Sequence, residues 1–136
     1  ILLYGFDKVN TNMYANQWIS LTEKCTNDEK IKLGSLLDRQ CGGGQILHVN
    51  LENGFVDEEQ SWKTLNHIAS KGVIYFAYNI KISTCKNNHA FIGDKCHCGE
   101  KANEIYSRIV GFLVPYSSFS KERKQEFSNR LWYEID

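Results

Sequence analysis

"DEEQSWKTLNHIASKGVIYFAYNI", Asp57 to Ile80, is the stretch on which the fold turns. Acids open its first turn, Trp62, Leu65, Ile68 and Ala69 share one face, and Gly72 stands where a helix ends. "VIYFAYNI" follows, apolar at nearly every position, which is the pattern of a strand covered on both sides. Just upstream, "QILHVNL" (45–51) alternates Ile46, His48 and Asn50 against Leu47, Val49 and Leu51, as a strand does. Strand, helix and strand in succession predict a βαβ unit with parallel pairing, so the class is α/β.

The reading extends outward from there. Thr26, with Glu29 three residues on, forms a capping box that starts a helix through Ile31, Leu33, Leu36 and Leu37 to about Gln40. "CGGGQ" breaks it. The first twenty residues show no helical period and read as extended chain and loop. Downstream, "RIVGFLV" (108–114) reads as a strand, Pro115 stops it, and a last helix over about Ser120 to Leu131 carries Phe127 and Leu131 four apart. This inventory leaves "VIYFAYNI" short of neighbours, which predicts that the chain completes a larger sheet.

A length of 136 residues with 42% hydrophobic and 24% charged residues describes one globular domain. Sixteen basic and sixteen acidic side chains cancel, so no global field favours nucleic acid or an anionic membrane. No apolar run is long enough to span a bilayer, and the N-terminus lacks the basic leader and cleavage site of a secretory signal. The chain does not begin with methionine, which suggests a fragment or processed piece. Five cysteines, three of them between positions 85 and 98, point to a reducing compartment and a metal site rather than a disulfide framework.

"CKNNHAFIGDKCHCGE" (85–100) gathers Cys85, His89, Cys96, His97 and Cys98 in one turn-rich loop. Structural zinc takes four tetrahedral sulfur or nitrogen ligands, commonly from two tight turns joined by a short loop. Cys85, Cys96 and Cys98 are the first three candidates. His89 is the fourth, with His97 as the alternative, since a residue between two ligands tends to point away from them. A loop of free thiols is the competing reading. Cys25 and Cys41, flanking the first helix, are expected to be buried small hydrophobes.

Other features carry less. Gly42, Gly43 and Gly44 precede a strand, whereas phosphate cradles open onto a helix, so they read as a tight turn. His48 is expected to be a half-buried, hydrogen-bonded strand residue, and His67 a solvated helix residue. "KERKQEF" (121–127) reads as a salt-bridged helix face. Gly111 is the anomaly: glycine in a strand interior costs about 0.5–1 kcal/mol against alanine, so a bulge, a bend or a close approach is expected there.

Together, "YANQWISL", "GGGQILHVNLE", "GVIYFAYNIKISTC", the knuckle and "RIVGFLVPYSSFSKERKQEFSNR" resemble the C-terminal part of anaerobic (class III) ribonucleoside-triphosphate reductases, over almost the whole chain. The most specific element is R-x-x-G-[FY] after a zinc knuckle. The resemblance implies the end of a ten-stranded glycyl-radical-enzyme barrel over 1–84, a zinc-ribbon-like knuckle over 85–100, and a radical loop with a C-terminal helix over 101–136. Gly111 matches the glycine that carries the family's stable radical. The family's zinc site has two C-x-x-C pairs, whereas here Asn88 stands at the second position and the second pair is compressed to Cys96-His97-Cys98.

The implied reaction is oxygen-free reduction of ribonucleoside triphosphates to 2′-deoxyribonucleotides for DNA synthesis, an oxidoreductase activity. A separate activase, bearing an iron–sulfur cluster and S-adenosylmethionine, takes a hydrogen from the glycine. The resulting radical oxidises a finger-loop cysteine, and that thiyl takes the substrate's 3′-hydrogen. The family's thiyl cysteine, its partner and the allosteric region lie N-terminal to the segment present here, so Cys25 and Cys41 do not fill those roles and the isolated chain is expected to be inactive. The implied partners are the activase, the N-terminal remainder, ribonucleoside triphosphates, formate or a thioredoxin-like reductant, and a second copy in a homodimer, in a bacterial or phage-infected cytoplasm. The alternatives are a stand-alone spare part for a damaged radical domain, and a non-catalytic zinc-ribbon interaction module. The chemistry favours glycine independently: a planar Cα radical is delocalised over the flanking amide nitrogen and carbonyl, and a β-carbon crowds that plane. Apolar Ile109, Val110, Phe112 and Leu113 are expected to bury it.

Overall fold

A computed structural model describes residues 17–43, 45–109 and 111–134, in a mixed α/β arrangement. The first helix, α1 (Asn27–Asp38), begins at the expected box. Thr26 Oγ accepts from the Glu29 N–H at 3.2 Å, and Glu29 Oε2 accepts from the Thr26 N–H at 2.8 Å. Its predicted apolar face is only partly used: Ile31 is buried, while Leu33 and Leu36 face solvent. Lys30, Gly34, Ser35 and Asp38 take the inner positions instead.

Strand β1 (Leu47–Asn50) leads to α2 (Glu58–Ser70) and then β2 (Phe76–Asn79). The two strands pair in parallel, from Leu47 opposite Phe76 to Asn50 opposite Asn79, which is the predicted βαβ unit. Gly72 ends α2 with φ 83°, a left-handed backbone that glycine adopts without a β-carbon clash. All four β1 residues are buried, so the alternation read from the sequence does not become an exposed face. β2 is shorter than "VIYFAYNI" suggested, because Ile74 and Tyr75 lie in the exposed approach to it. Trp62 and Ala69 of α2 are exposed as well, and Ile68 carries its packing.

The core cluster is Ile31, Leu47, Val49, Leu51, Ile68 and Val73, with Phe55, Phe76 and Tyr78 packed against it. On the far side of β1 the chain's last described segment returns in parallel: Glu52 N donates to Tyr133 O at 2.9 Å, and Tyr133 N to Asn50 O at 3.3 Å. β1 is therefore central. Among the described residues no strand pairs with the outer edge of β2.

A second, antiparallel sheet has the order β4–β3–β5–β6, built from β3 (Ile82–Thr84), β4 (Ala90–Phe91), β5 (Glu104–Arg108) and β6 (Leu113–Pro115). Here the reading of "RIVGFLV" as one strand is corrected. The chain leaves β5 at Arg108, turns, and comes back as β6, with Arg108 opposite Leu113. Gly111 sits in that connection, not in a strand interior. A short 3-10 turn (Tyr116–Ser118) follows Pro115, and α3 (Lys121–Ser128) starts at Ser120, whose Oγ accepts from the Arg123 N–H. The readings of residues 1–16, Gly44 and Val110 lie outside the described residues. No described helix is long and apolar enough to cross a membrane.

Candidate functional site

The knuckle is built from two turns that follow β3 and precede β5. In the first, Cys85 N donates to His89 O at 3.2 Å and Asn88 N to Cys85 O at 3.0 Å. In the second, Cys96 N donates to Glu100 O and Gly99 N to Cys96 O, both at 2.9 Å. These turns bring the donor atoms of Cys85, His89, Cys96 and Cys98 within 4.8 Å of one another. The Cys85 and Cys98 sulfurs are 3.8 Å apart, and Cys96 Sγ is 3.5 Å from His89 Nδ1. Zn–S and Zn–N bond lengths give tetrahedral edges of about 3.8 Å between two sulfurs and about 3.5 Å between sulfur and nitrogen. The donor set and its spacing therefore fit zinc.

The electrostatics suit the same cation. Glu100's backbone N–H, then the Cys96 and His89 side chains, bring the Cys98 thiol down to about 6, where thiolate is the neutral-pH form. Asn87 Nδ2 also faces that sulfur at 3.6 Å. Burial pushes the Cys96 thiol up, the direction a nearby cation reverses. His97 stacks on His89, ring centroids 4.5 Å apart, and its Nδ1 lies 3.6 Å from Cys96 Sγ. It stands beside the four-donor cluster and is not one of its members. Cys25 and Cys41 are half-buried rather than buried, and far along the chain from this loop.

The Gly111 connection is held by charges and amides that sequence reasoning missed. Arg108 Nε donates to Tyr78 O at 2.9 Å, and its Nη1 donates to Gly111 O. The Arg108 N–H donates to Asn79 Oδ1 at 2.9 Å, which also accepts from Ser107 Oγ at 3.0 Å. Asn79 Nδ2 in turn donates to Asn50 Oδ1 at 2.7 Å. From the other side Arg130 Nη1 donates to Arg108 O and Ser107 Oγ, while Glu126 grips the same guanidinium with both oxygens at 2.8 and 2.9 Å. Asn50, Asn79, Ser107, Glu126 and Arg130 are all buried. Buried polar groups in such number survive because each finds partners, and together they fix one geometry. Asparagines inside apolar strands, Asn50 in "HVNL" and Asn79 in "FAYN", were the sequence signal that could have exposed this network.

Two expectations at Gly111 change. Phe112 is 69% exposed and Leu113 41%, so these side chains do not bury the glycine. A β-carbon built on Gly111 would meet Ile46 Cδ1 at 3.9 Å, an ordinary contact. Among the described residues there is room for a methyl group, so a close approach by another group, one of the reasons offered for the glycine, is not found in this fold. His48 is fully buried rather than half-buried, and His67 is not merely solvated: its Nε2 pairs with Asp28 Oδ1 at 2.7 Å across α1 and α2.

A sequence-family model described as anaerobic ribonucleoside-triphosphate reductase matches residues 3–133. Among solved structures, one described as an anaerobic ribonucleotide reductase superposes with a TM-score of 0.83 at 41% identity, over 97% of this chain and 22% of its own. The anaerobic ribonucleotide reductase of Thermotoga maritima with glycerol in the active site gives 0.75 at 42% identity, over 91% of this chain and 20% of that one. The same organism's enzyme in complex with dATP and CTP gives 0.71 at 41% identity, over 92% and 20%. None of the curated proteins matches the chain. The chain thus spans about a fifth of the length of the solved structures it resembles.

Proposed function

The chain belongs to the anaerobic ribonucleoside-triphosphate reductase family, and from that premise we propose that it is the C-terminal, radical-bearing part of such an enzyme, with Gly111 as the glycyl radical residue. The observation that carries this reading is Gly111 itself. It stands in the β5–β6 connection with space for a methyl group beside it among the described residues, so packing in the resting fold does not call for glycine, whereas a planar Cα radical free of any β-carbon does.

In the working enzyme the activase removes one Gly111 hydrogen with the aid of S-adenosylmethionine and its iron–sulfur cluster. The radical then oxidises the thiyl cysteine on the remainder of the reductase, which takes the 3′-hydrogen of a ribonucleoside triphosphate and leads to the 2′-deoxyribonucleotide. Formate or a thioredoxin-like protein supplies the electrons. Among the described residues no strand pairs with the outer edge of β2, where only the Arg108 side chain reaches Tyr78 O. The remaining barrel strands add along that edge, so that residues 1–84 finish a ten-stranded barrel, 85–100 form the knuckle and 101–136 the radical loop and helix. The exposed Phe112 and Leu113 are covered by that remainder, which supplies the shielding that these two side chains do not. Zinc, held by Cys85, His89, Cys96 and Cys98, has a structural role: four donors leave no open position. The complex of the Thermotoga maritima relative with dATP and CTP supports nucleotides as ligands of the whole enzyme. The full assembly is a cytoplasmic homodimer.

Electron paramagnetic resonance of the activated, full-length reductase tests the reading. One remaining α-hydrogen gives a doublet, which collapses when glycine is deuterated at Cα and is unmoved when tyrosine is deuterated. Gly111→Ala abolishes it. A doublet surviving in Gly111→Ala places the radical elsewhere and overturns the assignment.

A further inference from the structure

We propose that Arg108 is a positioning residue for the radical: its guanidinium holds the Gly111 carbonyl in the plane of the delocalised electron and stabilises the charge that oxygen gains. This rests on the reading of Gly111 as the radical residue.

Leu47 N and Leu51 N donate to Tyr75 O and Asn79 O, so those β2 carbonyls face β1. Strand alternation turns Tyr78 O the other way, to the outer edge of β2. Arg108 reaches that carbonyl with Nε and Gly111 O with Nη1. A planar fork of fixed donors can bridge two carbonyls in a way a lysine ammonium cannot. Arg108 is itself fixed from behind, its N–H by Asn79 and its carbonyl by Arg130. Arg108 is absent from the ion pairs formed among the described residues, so its charge is directed at these carbonyls.

The consequence follows from where charge develops. When the Gly111 Cα–H bond breaks homolytically, the hydrogen atom passes to the 5′-deoxyadenosyl radical, which becomes 5′-deoxyadenosine. The unpaired electron left on Cα is shared with the amide nitrogen, which becomes more positive, and with the carbonyl oxygen, which becomes more negative. Arg108 exchanges no proton. Its N–H is aimed at that oxygen beforehand, so the interaction strengthens as the radical forms, and preorganised donors of this kind favour the state in which charge appears.

The test uses the full-length reductase with its activase. In wild type labelled with guanidino-15N arginine, electron–nuclear double resonance should show a weak 15N coupling to the Gly111 radical. Arg108→Met should lower radical yield per chain or shorten its lifetime by about tenfold or more, as expected for losing one charge-assisted hydrogen bond. The α-proton splitting of its residual doublet should also change, whereas a purely structural role would leave the splitting of surviving radicals unaltered. Arg108→Lys should recover part of the yield. Zinc content reports whether each variant is folded, and the labelled wild type decides the matter even where a variant is not. A wild-type doublet without 15N coupling, or an Arg108→Met doublet of unchanged yield, lifetime and splitting, overturns the role of Arg108. A doublet that persists in Gly111→Ala overturns the radical assignment instead.

Discussion

Asn88 and Gly99 hold the same backbone hand at the same place in two successive turns: each lies three residues beyond a cysteine, Cys85 or Cys96, with φ 60° and 85°. Each donates its N–H back to that cysteine's carbonyl. Asparagine is among the few side chains that tolerate this region, and glycine enters it freely. Asn88→Gly should therefore keep the knuckle intact. Asn88→Val and Gly99→Val should each cost about 1–2 kcal/mol and release zinc at lower chelator concentration. Chelator titration of the three variants checks this; a Val variant that holds metal like the parent would show that the turns do not depend on these backbones.

The donor assignment makes a separate prediction. Purified protein should carry about one zinc per chain, the stoichiometry of a single four-ligand site. His89→Ala should lose it and His97→Ala should keep it, because Cys96 Sγ and His89 Nδ1 form an edge of the four-donor cluster while His97 stacks outside. Elemental analysis reads the outcome directly. The reverse result would exchange the two histidines' roles.

The capping box sets a pH dependence. The Thr26 N–H and hydroxyl both donate to Glu29, and they hold its carboxyl below the ordinary value of 4.5. A group whose folded value is lowered binds protons less readily when folded, so it stabilises above the unfolded value and loses that contribution as pH falls through the folded one. Thermal melts should show wild type above Glu29→Gln at neutral pH, with the gap closing as pH drops below 4.5. A gap that stays constant with pH would mean that the carboxylate charge plays no part in the cap.

That cap was legible because its signal is local: Thr26, Glu29 and one turn of helix contain all of it. Gly72 as a helix stop, the parallel β1–β2 unit and the cysteine cluster were legible for the same reason. The exposed Leu33, Leu36 and Trp62 were not. Periodicity identifies an apolar stripe, but nothing in it says whether this chain supplies the covering surface. The β5–β6 connection was hidden because Ile109, Phe112 and Leu113 have strand-forming side chains, and the bond from Arg108 to Tyr78 O crosses 30 positions of sequence. The buried amides likewise depend on elements that meet only in the folded chain; the Glu126–Arg130 pair is local, four residues apart, and only its burial was hidden.

The exposure of the Gly111 connection leads to the last prediction. A Cα radical combines with dioxygen at that carbon, and the backbone then breaks there. Phe112 is 69% exposed, so among the described residues its side chain gives the glycine no cover from oxygen, and protection is expected from the rest of the assembled reductase. Air admitted to the activated enzyme should therefore cut the chain at Gly111 and release a tail beginning near Phe112, which mass spectrometry maps to the residue. Opening the assembly with a mild denaturant during exposure should speed the cut, whereas unactivated enzyme and Gly111→Ala should remain whole under the same air. A cut at another residue, or one that appears without activation, would show that the oxygen-sensitive carbon is not Gly111. A rate unchanged by loosening the assembly would show that the shielding lies within this segment after all.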